Sequence, residues 1–165
     1  QLIDISHNGY DFMDDPMFHR RRVVRLPDDI YVIEDRVTGI CREDHDIRLY
    51  YNFAFGHLDG ENGKFDYTSQ KGRGYTMTVQ ADKKLDFEIL EGSENPIGGW
   101  ISYGYAWSKP IPQLIAKHSG KAPIHFITVL APAGTRAEAA INGNAAMVNT
   151  DRECGRTALR KEPAR

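Results

Sequence analysis

The chain has 165 residues, 41% of them hydrophobic and 27% charged, with a formal net charge of -2, which suits one domain around one core and leaves little room for two. A near-neutral balance supplies no broad positive field to gather nucleic acid or an anionic membrane, and no apolar run approaches the roughly 20 residues that cross a bilayer. Neither nucleic acid nor a membrane is expected as a partner.

The first residues carry no basic segment followed by an apolar signal core, and the chain starts at Gln1 rather than methionine, so a fragment or processed product is expected. Phe18 to Leu26 reads as a strand, closed by the turn residues Pro27-Asp28-Asp29. Ile30-Tyr31-Val32-Ile33 follows, apolar on both faces, as in a strand covered on both sides. From Asp44 to Phe55, His45, Ile47, Leu49, Tyr51 and Phe53 alternate with Asp46, Arg48, Tyr50 and Asn52, which predicts a strand with one core-facing side. Gly56 to Gly63, with Asp59-Gly60 and Asn62-Gly63, reads as a long loop or hairpin tip.

The same period of two marks Tyr75, Met77 and Val79, then Leu85, Phe87 and Ile89. The polar link Ala81-Asp82-Lys83-Lys84 makes these two segments a predicted hairpin. Gly98 to Pro112 (GGWISYGYAWSKPIP) is dense in aromatic residues. If it is extended, Ile101, Tyr103, Tyr105 and Trp107 share one face, too broad to leave exposed without a sheet, a partner or a ligand. Ile124 to Leu130 is a second candidate central strand. Strands recur with turns between them and helical periodicity is nearly absent before Ala133. The fold expected is therefore all-β, an antiparallel β-sandwich of about seven to ten strands over residues 1–132. Residues 133–165 are expected to be a weakly structured tail, with a last strand near Ala146-Met147-Val148 or none.

Six histidines, at 7, 19, 45, 57, 118 and 125, show neither i, i+4 helical pairing nor cysteine spacing of a zinc motif. His45 and His125 read as satisfied structural histidines. Three consecutive arginines, Arg20 to Arg22, must send some guanidinium groups to each face of a strand, where each needs a carboxylate or an anionic ligand. Glu34, Asp35 and Asp44 are the acids expected to pair with them, an acidic glycan or neighbouring domain being the other option. Asp14, Asp15, Asp28, Asp29 and Asp59 read as solvated turn acids. Cys41 and Cys154 are too few for a disulfide framework or a cysteine-rich metal site, and spacing does not decide whether they pair. No nucleophile elbow, phosphate loop or dinucleotide fingerprint is present.

Taken in order, His7-Asn8-Gly9-Tyr10, His19-Arg20-Arg21-Arg22-Val23-Val24, Tyr31 to Gly39, His45 to Phe53, and Gly99-Trp100-Ile101-Ser102 with Tyr105, Pro110 and Pro112 resemble the later part of the heparinase II/III-like domain. That domain is the C-terminal β-sandwich region of bacterial polysaccharide lyases, and the resemblance spans about Ile5 to Pro132. It implies an N-terminal α/α toroid, a sugar cleft between toroid and sheets, and β-elimination of uronic-acid polysaccharides such as alginate or heparin-like chains. It also implies that catalysis uses a tyrosine, a histidine and an asparagine of the toroid, with a histidine and a metal site near the start of the β domain. Motifs matching those residues are not in this sequence. No catalytic residue, metal or cofactor is therefore assigned to this segment, a metal site being expected upstream, and the segment alone is expected to be inactive. The toroid of the same polypeptide and an anionic polysaccharide are the implied partners, and the periplasm or exterior the implied location. Trp100, Tyr103, Tyr105, Arg20 and Arg22 are the substrate-binding candidates, although the resemblance favours burial or docking of the aromatic block. A stand-alone carbohydrate-binding or structural interaction module is the alternative.

Overall fold

Alternation of apolar and polar residues sets which side of each strand seeks cover, and two sheets satisfy that demand by facing each other. The structure is a computed structural model that describes residues 1–40, 42–142 and 145–150. The first eight strands are β1 (Leu2–Tyr10), β2 (Met17–Arg25), β3 (Tyr31–Gly39), β4 (His45–Asn52), β5 (Gly56–Glu61), β6 (Lys64–Ser69), β7 (Gly74–Ala81) and β8 (Asp86–Glu91). Two-residue strands β9 (Ser93–Glu94) and β10 (Ile97–Gly98) follow. Next come β11 (Trp100–Gly104), β12 (Trp107–Pro110), β13 (Pro112–Gly120), β14 (Ile124–Pro132), β15 (Ala137–Asn142) and β16 (Ala145–Thr150). The expected all-β antiparallel architecture is present, divided more finely than seven to ten strands because short pairings and hairpins subdivide the long connections.

A seven-stranded sheet runs in the order β1-β2-β3-β14-β7-β6-β5, and a three-stranded sheet in the order β4-β13-β8. Leu49, Leu114, Ala116 and Phe87 of the smaller sheet pack against Val37, Phe65, Met77, Val79, Ile124 and Phe126 of the larger one. This is the main core. Strand β4 shows how the pattern was built: Leu49 is buried and Tyr51 half-buried, while Asp46, Arg48, Tyr50 and Asn52 face solvent.

Strands β3 and β14 are neighbours at the centre of the large sheet, with Val37 opposite Ile124 and Tyr31 opposite Leu130. Their opposite face forms a second core of Ile30, Val32, Ile127, Val129 and Ala131. Ala139 of β15 closes it, with Ala137 and Ile141 beside it, so the segment after Ala133 covers the back of the central strands. The expected last strand near Ala146-Met147-Val148 is β16, paired with β15. Cys41 and Cys154 lie outside the described residues.

The hairpin expected from Tyr75 to Ile89 does not form. Strand β7 pairs with β6 and β14 in the large sheet, whereas β8 pairs with β13 in the small one. Both strands have an apolar face, but they present it to the same core from opposite sheets, so their link must arch across the sandwich. Asp82 holds one foot of the arch: its N–H donates to the His125 carbonyl at 3.1 Å, and its side chain accepts from the His125 N–H at 3.0 Å. The true hairpin signal was Asn62-Gly63, both at positive φ (53° and 79°), which turns β5 into β6.

Phe126 is fully buried between the two sheets. Phe126→Ala is expected to cost about 3–5 kcal/mol of stability. Urea unfolding checks this, and a loss below about 1 kcal/mol would place Phe126 outside the main core.

Candidate functional site

Glu34 and Asp35 are adjacent on β3, so their carboxylates point to opposite faces of the sheet, and both are buried. A buried carboxylate requires hydrogen-bonded cations. Strand β2 supplies them, with Arg21 opposite Asp35 and Arg22 opposite Glu34 in the register.

On the sandwich face, Arg21 grips Asp35 through Nε at 2.7 Å and Nη2 at 3.1 Å. His19 Nε2 lies 2.6 Å from the same carboxylate. The proton positions follow from the outer partners. The Gly9 N–H donates to His7 Nδ1 at 3.2 Å, so neutral His7 carries its proton on Nε2. That proton points at His19 Nδ1, 3.2 Å away, which leaves the His19 proton on Nε2, directed at Asp35. A directed chain thus runs from the exposed His7 through His19 to a buried anion. Deeper in the sandwich, Tyr51 and Thr128 share a hydrogen bond of 2.6 Å, and burial, with the nearby Asp35 charge, pushes the Tyr51 hydroxyl well above its ordinary value.

His19 and Arg21 line a cleft of about 660 Å³ together with Tyr10, His45, Arg48 and Tyr50. His45 closes its floor by bonding to Asp15 at 2.9 Å. Asp15 was expected to be a solvated turn acid. Instead it is buried, and the Glu43 N–H at 3.0 Å, with His45 beside it, holds its carboxyl below the usual value. Arg48 pairs with Asp46.

On the opposite face, Glu34 Oε1 accepts from Arg36 Nε at 2.8 Å and Nη2 at 2.6 Å, and Oε2 accepts from Arg22 Nη1 at 3.3 Å. His125 Nε2 lies 2.8 Å from Oε1, too misaligned for a directed hydrogen bond but close enough to act through charge and dipole. Burial pushes the Glu34 carboxyl up, yet His125 and Arg36 outweigh it and hold it at about 2. Arg20 is clamped by Asp4 through Nε at 2.8 Å and Nη2 at 2.6 Å, and Arg22 Nε lies 3.3 Å from the same carboxylate. All three consecutive arginines, Arg20 to Arg22, therefore have carboxylate partners. Two of these, Glu34 and Asp35, were among those expected; Asp4 was not, and Asp44 takes no part in these pairs.

The aromatic block is a separate place. Strands β11 and β12 form a hairpin with Trp100 opposite Pro110 and Gly104 opposite Trp107. It turns at Tyr105-Ala106, where Ala106 adopts φ 55°. Trp100 is anchored, its indole N–H donating to the Ser93 carbonyl at 2.9 Å. Tyr103 stacks on Trp107 with ring centroids 5.3 Å apart, and Tyr105 is fully exposed at the tip. The structure thus separates the substrate-binding candidates: Arg20 and Arg22 lie in the ion-pair network of the sheet, while Trp100, Tyr103 and Tyr105 lie on the hairpin.

Two outcomes test this account. Asp35→Asn leaves Arg21 without its anion and is expected to cost about 3 kcal/mol in urea unfolding, while a loss under about 1 kcal/mol would show that solvent replaces the pair. Because the Glu34 carboxyl is held at about 2 against an ordinary 4.5, its contribution is complete above 4.5 and is lost as pH falls toward 2. Glu34→Gln is expected to flatten the stability profile between those limits, and an unchanged slope would remove Glu34 as its source.

No protein-family model and no curated protein matches the chain. Solved structures do. Heparinase III, the BT4657 gene product, superposes with a TM-score of 0.73 at 16% identity over 91% of this chain. A second heparinase III structure gives 0.72 at 17% identity, and the heparan sulfate lyase HepC from Pedobacter heparinus gives 0.72 at 11% identity over 96% of this chain. The match takes up only 24% of each heparinase III chain and 25% of HepC, so this chain has the fold of about one quarter of a heparinase III-type lyase.

Proposed function

We propose that the chain is a non-catalytic part of the C-terminal β-sandwich domain of a polysaccharide lyase acting by β-elimination on uronic-acid polymers of the alginate or heparan sulfate type. The observation that carries this reading is the fold match, which uses more than nine-tenths of this chain and about a quarter of the lyase. The ion-pair geometry supports it. β-Elimination needs a base at the proton beside the uronate carboxylate, a positive or hydrogen-bonding group on that carboxylate, and an acid at the leaving oxygen. The guanidinium groups of Arg20, Arg21 and Arg22 already face Asp4, Asp35 and Glu34, which supports a structural part for them in the sheet.

In this reading the reacting groups, and any metal, belong to the α/α toroid and the first part of the β domain, and the present chain supplies a rigid wall beside them. Among the described residues no three histidine, cysteine, aspartate or glutamate side chains converge as metal ligands. A polymer substrate implies a periplasmic or secreted enzyme.

Purified chain incubated with alginate and with heparan sulfate is expected to generate no absorbance from unsaturated uronate ends, while a polypeptide that joins it to its upstream region generates it. Turnover by the chain alone would overturn the reading.

A further inference from the structure

We infer that the β11–β12 hairpin and the adjoining groove form a glycan-binding subsite for an anionic polysaccharide, separate from the histidine cleft. The proposal rests on the lyase reading only for the acidic character of the sugar.

Trp107 and Lys109 are two residues apart on β12 and line the same groove, whose volume is about 510 Å³. That is within the range of small-ligand sites. Its apolar part is the Trp107 indole with Phe55 and Pro110, and its polar groups are Lys109, Gln70 and Glu91. This composition suits a pyranose ring, which has one apolar face for an aromatic ring and a rim of hydroxyls for amide and carboxylate partners.

Charge selects the class of sugar. Lys109 is exposed and has no ion-pair partner among the described residues, in contrast with the arginines of β2. Within the lining Lys109 stands against one carboxylate, Glu91, and the turn that follows Gln70 carries two exposed cations outside the lining, Lys71 and Arg73, also without ion-pair partners among the described residues. An anionic polymer can meet Lys109 in the groove and the turn cations along its length.

The groove is also prepared for a ligand. Tyr103 stacks on Trp107 and limits the indole's rotation before anything binds, which lowers the ordering cost of binding. Tyr103 is thus a positioning residue and Trp107 the contact. Trp100, pinned to Ser93, supports the base of the hairpin. A protein partner is a poorer occupant. Tyr103 and Tyr105 are both exposed, but the hairpin that carries them has strands of only five and four residues, well short of the roughly 20–30 residues a side that a stable interface uses.

The test is electrophoresis of the full chain in native gels that contain heparan sulfate, alginate or neutral dextran. Retardation is expected in the two acidic gels and not in dextran. Trp107→Ala is expected to weaken apparent affinity roughly tenfold. Lys109→Gln should weaken it about three- to fivefold and reduce its salt dependence. Tyr103→Ala should fall between wild type and Trp107→Ala, with Tyr103→Phe restoring binding because the stacked ring remains. Matching thermal melts for all four variants keep the comparison free of folding defects. Wild-type mobility equal in all gels, equal retention of Trp107→Ala and Lys109→Gln, or self-association of the chain through the hairpin would each overturn the proposal. The assay requires no turnover, so its failure leaves the lyase reading to be judged by product formation.

Discussion

Two neighbouring carboxylates on one strand, each buried and each facing a different side of the sheet, are the constraint around which the large sheet is arranged. Neither Glu34 nor Asp35 has solvent to neutralise it, so cations must arrive from both sides of the same neighbouring strand. Arg21 and Arg22 do this because adjacent side chains in a strand alternate faces, with Arg36 of β3 joining Arg22 at Glu34. A slip of β2 by one residue that set Arg21 opposite Glu34 would set Arg20 opposite Asp35, so the arginine run alone tolerates it. The same slip turns His19 away from Asp35 and reverses the apolar faces of β2, so His19 and the apolar residues specify the register.

The constraint divides the molecule by function. On one face the network ends in His19 and His7 and opens into the cleft; on the other it gives way to an apolar patch covered by β15. The central strands consequently combine ionic and apolar burial on both faces, and their position between β2 and β7 leaves them no free edge. The aromatic hairpin takes no part in this arrangement. It extends beyond the core, and its exposure is the property that makes it a candidate for contact with something outside the chain.

Much of the fold was legible because faces are written in alternation. β4 reads its burial directly from His45 to Asn52, and the double-sided apolar runs identified β3 and β14. Neighbours were less legible, since alternation states which side seeks cover and not which strand supplies it. Thus β7 and β8 look like a hairpin by period and spacing, although each meets the core from its own sheet. Asp4 and Asp15 were missed as partners for the same reason: one sits on an edge strand and the other in a turn, and only the register brings them to Arg20 and His45. In the aromatic block the alternation was carried through a turn, because Tyr105-Ala106 lacks the usual Gly, Asn or Pro at the position of positive φ.

The stem of that hairpin has one further property. The Gly99 carbonyl accepts from both the Gly92 and the Ile111 N–H groups, at 2.9 and 2.8 Å. Gly99 has φ 70°, and a Cβ there would come within 2.7 Å of the Leu90 and Glu91 backbone, so the residue admits no side chain. Both legs of the hairpin therefore leave the body from a single fixed point whose geometry is indifferent to the residues at the tip. The arrangement separates mounting from reading: Tyr103 to Trp107 can be exchanged for another set of contacts while the stem holds its aim, so the loop is a cassette through which one scaffold can be turned toward different surfaces.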